Sequence, residues 1–190
     1  LQATVSLFDQ TVTLDDAGEV LIDAAALSAP AELRDRLLAQ VLVWLGRAEY
    51  RPRHASLHGL IVRLANGRGG TLLGCEARRD ADGRVRVGRE LRALAPLQTP
   101  LADIWDGRWR IHAPDGTDRA GLTVKSLGEA GLALCPDWRA TALPRRSLLT
   151  TPAVWRGDAL IAAPLARQDP GWRAELLRGR DDLRTSFLLH

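Results

Sequence analysis

Two prolines, Pro30 and Pro52, each open a run in which apolar side chains recur every three or four positions, and only a short connection separates the runs. In the first, Leu33, Leu37, Val41, Trp44 and Leu45 share a face, flanked by Leu38 and Leu42; in the second, Leu57, Leu60, Ile61 and Leu64 do. Proline is harmless in a helix's first turn, where its missing N–H has no partner, and glycine readily takes the left-handed conformation that closes a helix. The pattern predicts two amphipathic helices, the first closed by Gly46 and the second by Asn66-Gly67. Joined through Glu49-Tyr50-Arg51, they must pack together.

The chain then changes period. Residues 71–77 and 84–90 alternate about Asp80-Ala81-Asp82-Gly83, a turn sequence, and so predict a two-stranded hairpin. Alternation assigns Leu73, Cys75, Val85 and Val87 to a face that covers the helices, and Glu76, Arg78, Arg84 and Arg86 to an outer, wet face. Charge follows the same division. Residues 1–50 carry 3 basic and 8 acidic side chains and residues 51–95 carry 10 and 4. A clustered basic face is what a polyanion would meet, which makes this asymmetry more telling than the net charge of +3.

Upstream, residues 5–7, 12–14 and 20–22 read as short extended segments or as a helix tail entering a hairpin, with Asp15-Asp16-Ala17-Gly18 as the turn. Downstream, Pro96 and Pro100 mark residues 94–100 as a stiff linker dividing 1–95 from 96–190. The second part reads as mostly strand: 105–112, 122–127 and a hairpin of 153–155 with 159–163 about Arg156-Gly157-Asp158. One short helix is expected between 137 and 149, and the tail is expected as a helix over 172–177 followed by a strand over 184–190. The fold class is α+β, a small helical-plus-hairpin domain followed by a mostly-β one.

At 46% apolar and 26% charged, the composition is that of an ordinary folded protein. Only Lys125 among the 26 basic residues is lysine. Arginine suits phosphate through its bidentate fork, although a GC-rich coding sequence explains the bias more plainly. Cys75 and Cys135 lack CxxC or paired spacing, so neither a disulfide framework nor a zinc site is indicated, and a reduced, cytoplasmic chain is expected. No apolar run reaches the roughly 18 to 20 residues of a membrane span, and no export signal opens the sequence. The chain contains no methionine and starts at Leu1, as a piece of a longer protein would.

Candidate chemistry is sparse. His54 and His58 are spaced to share one helical face, but a metal site needs a third ligand, and no HExxH pattern is present. Asp80-x-Asp82-Gly83 opens like a calcium loop yet returns at once to a strand. Gly67-Arg68-Gly69-Gly70 precedes a strand, whereas phosphate-cradling loops lead into a helix. No nucleophile, base and orienting group come together in a motif, so no catalytic residue, metal ligand or cofactor-binding residue is assigned. Trp105, Trp109, Trp138 and Trp155 are candidates to stack on bases, although tryptophan in a small strand-rich domain more often fills the core. What remains is a basic, noncatalytic binding module. Arg51, Arg53, Arg78, Arg84 and Arg86 are its candidate polyanion-facing residues, with Arg145 and Arg146 as a second group, and the resemblance described next makes RNA the polyanion they would bind.

Several stretches in fixed order carry a resemblance: Gly18-Glu19-Val20-Leu21-Ile22, the helical run from Leu33 to Leu45, Ala48-Glu49-Tyr50-Arg51-Pro52-Arg53 with Ser56-Leu57, Leu72-Leu73-Gly74-Cys75, and Val85-Arg86-Val87-Gly88-Arg89-Glu90. Together they resemble the first C-terminal domain of tRNA(Ile)-lysidine synthase. Pro144, Pro152 and the run from Trp155 through Pro164 resemble the end of that family's second C-terminal domain. The family uses ATP to join lysine to the wobble cytidine of the CAU anticodon. The resemblance places that chemistry, with ATP and Mg, in an N-terminal PP-loop domain whose Ser-Gly-Gly-x-Asp-Ser signature does not occur here. It thus implies a tRNA-holding part, inactive as a ligase alone, with tRNA and the PP-loop domain as partners, no membrane, and a homodimer left open. The second-domain segment before Pro152 offers fewer cations than the family usually carries: Lys125, Arg139, Arg145 and Arg146. A stand-alone RNA-binding protein and a protein-interaction or dimerisation module are the rival readings.

Overall fold

The structure is a computed structural model and describes residues 2–188. It divides into two compact units, one formed by residues up to Glu90 together with those from Gly179 onward, the other by Leu91–Arg178. The chain is α+β, with its strands in antiparallel sheets.

The first unit begins with α1 (Gln2–Thr11), which runs directly into the hairpin β1 (Val12–Leu14) and β2 (Val20–Ile22). After α2 (Ala24–Leu27) come the two expected helices, α3 (Ala31–Gly46) and α4 (His54–Ala65). Three strands follow, β3 (Gly70–Leu72), β4 (Cys75–Arg79) and β5 (Val85–Arg89), and α8 (Arg180–Ser186) returns to this unit from the end of the chain. The strands form one sheet in the order β1-β2-β5-β4-β3. Val12, Val20, Ile22, Cys75, Ala77, Val85 and Val87 point to one face, where Phe8, Leu37, Leu42, Leu45, Leu60 and Leu64 complete the core.

Three expectations change here. Residues 71–77 are not one strand: Leu73 and Gly74 both have positive φ (54° and 70°) and make the two-residue turn of a β3–β4 hairpin. Gly46 does not cap α3; Arg47 does, in the left-handed conformation with φ 55°. Gly46 is needed instead for close packing, because a Cβ there would lie 2.2 Å from the carbonyl oxygen of Leu73. Gly46→Ala is expected to lower stability by about 1–3 kcal/mol in urea unfolding, the cost of overpacking. The third change concerns the tail. Residues 184–186 of the expected strand belong instead to α8, whose Leu183, with Phe187 just after the helix, enters the first unit's core; 189–190 lie outside the described residues.

The second unit starts earlier than the prolines suggest. Residues 94–100 are not a free linker: α5 (Leu91–Leu94) and β6 (Thr99–Pro100) belong to this unit, and Leu94 is fully buried in its core. A sheet runs β10-β9-β8-β6, built from β8 (Leu122–Ser126), β9 (Pro152–Arg156) and β10 (Ala159–Ala162). A separate ribbon pairs β7 (Trp109–His112) with β11 (Arg173–Leu176). That pairing makes residues 173–176 a strand where a helix was expected. Trp105 folds back to bridge Trp109, so the strand expected over 105–112 covers only its second half. Two short helices, α6 (Gly128–Ala133) and α7 (Arg145–Leu149), cover a second core of Leu127, Leu148, Ala153 and Trp155, with a 3-10 turn at Trp138–Thr141 between them.

Candidate nucleic-acid interface

The face of the sheet that carries Arg78 and Arg86 is not an open basic surface. β5 is a central strand with β2 on one side and β4 on the other, so Leu21, Arg86 and Arg78 stand in one row across the three strands. Arg86 is only 6% exposed. Its guanidinium pairs with the carboxylates of Asp15, Glu19 at 3.1 Å and Asp80 at 2.9 Å. Arg78 reaches the same Glu19 at 3.2 Å. Glu19, itself buried, lies over Gly88, where any Cβ would stand 2.1 Å from its Oε1. A glycine inside a strand often marks such a close approach.

The electrostatics fit a closed cluster. Burial pushes the Asp15 carboxyl above its ordinary value, opposed by the hydrogen bond it accepts from the Glu19 backbone N–H and by the Arg86 guanidinium. Burial also disfavours charge on Arg86, but Glu19, Asp15 and Asp80 outweigh it and raise its pKa further. Arg86 therefore sits inside a buried ion network, which corrects the expectation that it lies on an outer, wet face. Arg78 is largely enclosed in the same network. Arg84 is more exposed, and its Nε donates to Asp82 at 2.6 Å. Asp82 is held below its usual range, chiefly by the hydrogen bond from the Arg84 backbone N–H.

The interhelical corner is different. Arg47, Arg51 and Arg53 are exposed around the α3–α4 connection, and Arg63 and Arg68 are exposed at the far end of α4. Among the described residues, none of these five makes a side-chain hydrogen bond or ion pair. Glu49 is the one acidic residue between positions 47 and 70, and it accepts a hydrogen bond from the Tyr50 hydroxyl at 3.1 Å. The N-terminus of α4 carries Arg53 as N-cap, no acidic residue in its first turn and no side-chain cap. Cations at the positive end of a helix dipole are unfavourable by themselves, and an anion bound there would relieve the repulsion. His54 and His58 continue the exposed surface along α4, their rings stacked 6.1 Å apart. The helix spans about 18 Å at 1.5 Å per residue. Arg51 and Arg53 are exposed at the α3–α4 connection, whereas Arg78 and Arg86 are enclosed in the ion network of the sheet. Arg47, Arg63 and Arg68 join the exposed set without any alternation pattern to mark them; the sequence signal for Arg63 and Arg68 is the lack of acids between 50 and 75.

In the second unit Arg145 pairs with Glu129, and Arg146 lies exposed beside it on α7. Trp105, Trp109 and Trp155 are buried and so belong to the core, as the plainer reading of tryptophan has it. Lys125 lies 4.6 Å from the Trp155 ring centroid, and Trp138 is half-buried with Arg139 over its ring. Both cysteines are buried thiols. Among the described residues, no three His, Cys, Asp or Glu side chains gather where they could hold a metal ion, and no helix is long and apolar enough to cross a membrane. Gly67–Gly70 leads from α4 directly into β3.

Over 180 residues, 94% of the chain, the sequence is 38% identical to the tRNA(Ile)-lysidine synthase of Ruegeria pomeroyi. The chain is related to the tRNA(Ile)-lysidine synthases. A second such synthase, from Anaplasma marginale, is 24% identical over 194 aligned positions covering 87% of the chain. This agrees with the resemblance carried by the motifs from Gly18 to Glu90 and from Trp155 to Pro164. The chain spans 42% and 41% of the lengths of these two relatives. No family model matches the chain, and no solved structure does.

Proposed function

We propose that this chain is the C-terminal, tRNA-holding part of a tRNA(Ile)-lysidine synthase and that its tRNA-facing surface is the α3–α4 corner with the exposed side of α4. The observation that carries this reading is the contrast between the two groups of arginines. Arg78, Arg84 and Arg86 are bound to carboxylates of their own chain, whereas among the described residues Arg47, Arg51, Arg53, Arg63 and Arg68 have no such partner, a state that leaves their full charge to an external polyanion. In this reading the ATP-dependent joining of lysine to the wobble cytidine is performed by another part of the protein. These residues supply affinity and register through phosphate contacts.

The salt dependence of tRNA binding tests the proposal. Each phosphate contact releases condensed counterions, so Arg47→Ala, Arg51→Ala, Arg53→Ala, Arg63→Ala and Arg68→Ala should each flatten the slope of log affinity against log salt by roughly one unit. Arg84→Ala should leave it unchanged. A slope that falls for Arg84→Ala and stays constant for the corner variants would move the interface to the sheet.

A further inference from the structure

We infer that Tyr50 is a stacking platform for an unpaired RNA base, set among the arginines of the α3–α4 corner; the inference rests on the reading of that corner as RNA-facing. The chain has nine Phe, Trp and Tyr residues, and their burial separates one from the rest. Phe8, Phe187, Trp44, Trp105, Trp109 and Trp155 are buried, and Trp138 and Trp172 are half-buried. Tyr50 is 73% exposed. A single exposed apolar side chain is ordinary on a protein surface, so exposure alone decides nothing. The surroundings decide it.

Tyr50 sits within three residues of Arg47, Arg51 and Arg53, all exposed and without a carboxylate partner among the described residues. Its hydroxyl donates to Glu49, so the one acidic residue between positions 47 and 70 is engaged by the tyrosine. The connection is also held at both ends. Arg47 takes the left-handed conformation as Ala48 N–H donates to the Val43 carbonyl at 3.0 Å, and Pro52 fixes its own φ before α4 begins. A tyrosine with two side-chain torsions on such a short, braced link loses little entropy when a ring stacks on it. An aromatic face among phosphate-binding cations is the combination that binds single-stranded nucleic acid, because every base offers a π-face. Paired bases are stacked within the helix and offer none. The partner is therefore a nucleotide in a loop, a bulge or a single-stranded end.

The test uses two RNA probes of equal charge, a stem-loop and a fully paired duplex, with the 190-residue chain. Tyr50→Ala should weaken stem-loop binding by about 5- to 150-fold, as expected for the loss of one stacked base, with the salt slope unchanged and duplex affinity within about twofold. Tyr50→Phe should bind like the parent, and the fluorescence of Tyr50→Trp should be quenched by the stem-loop. Stem-loop affinity untouched by Tyr50→Ala, or an equal loss on both probes, overturns the inference. The two readings separate. If Arg51→Ala and Arg53→Ala flatten the salt slope while Tyr50→Ala changes nothing, the basic interface stands and the stacking platform falls; a parent that binds neither probe removes both.

Discussion

Leu183→Ala is expected to cost the first unit about 2–5 kcal/mol, and Phe187→Ala about 3–5 kcal/mol, although both residues lie nearly a hundred positions beyond the rest of that unit. Leu183 is fully buried, and Phe187 packs its ring 5.2 Å from that of Phe8 on α1. Polar contacts fix the register of the same helix. Trp44 Nε1 donates to Asp182 at 2.6 Å, Gln40 Nε2 donates to Ser186 Oγ at 3.0 Å, and Arg184 forms a two-point pair with Asp9. That last pair is exposed, and its stabilisation is correspondingly small. A domain's whole stability is about 5–15 kcal/mol, so either core substitution removes a large share of it. Hydrogen exchange locates the effect: amides of α1 and α3 should exchange faster in both variants, while those of β8 and β9 keep their protection. Faster exchange confined to β8 and β9 would place the tail with the second unit.

The sequence does not place this tail, and the reason is physical. Residues 180–187 contain only two large apolar side chains, Leu183 and Phe187, at a spacing of four, too few for a periodic signal. What makes them a helix is the hydrophobic surface of α1 and α3 that receives them, and no local pattern reports it. The α3 and α4 stretches are the opposite case: five and four apolar residues at helical spacing, a proline before each and a tight turn after. The same logic separates the two groups of candidate arginines. Alternation places Arg78 and Arg86 on the face away from the helices, but whether that face is wet depends on what pairs beside it. The β1–β2 hairpin docks on β5 and swings Asp15 and Glu19 over it, and that pairing joins segments some 65 residues apart. Gly88 was the local trace of it. For Arg51 and Arg53 the sequence sufficed, because a short interhelical turn is exposed in almost any packing.

Arg86→Ala should destabilise the first unit by about 3–5 kcal/mol at neutral pH, the usual cost of breaking a buried ion network by removing one sign of charge. The substitution removes the Arg86 guanidinium from Glu19, which at 3% side-chain exposure still pairs with Arg78, and from Asp15, for which Arg86 is the ion-pair partner among the described residues. The loss should depend on pH in a definite direction. Burial already raises the folded-state pKa of Asp15 above its reference value of 3.8, with Arg86 among the groups that hold it down. A carboxyl whose folded pKa is raised contributes stability that is complete below its unfolded pKa and is lost as pH rises through the folded one. Without Arg86 the folded pKa rises further, so the window of loss extends to higher pH. The difference between parent and variant should therefore be greatest near neutrality and shrink as pH falls toward 4. Urea unfolding at a series of pH values measures it. A difference below about 1 kcal/mol, or one that does not narrow on acidification, would mean that Arg86 is not the centre of a buried network, and would return it to the set of residues available to RNA.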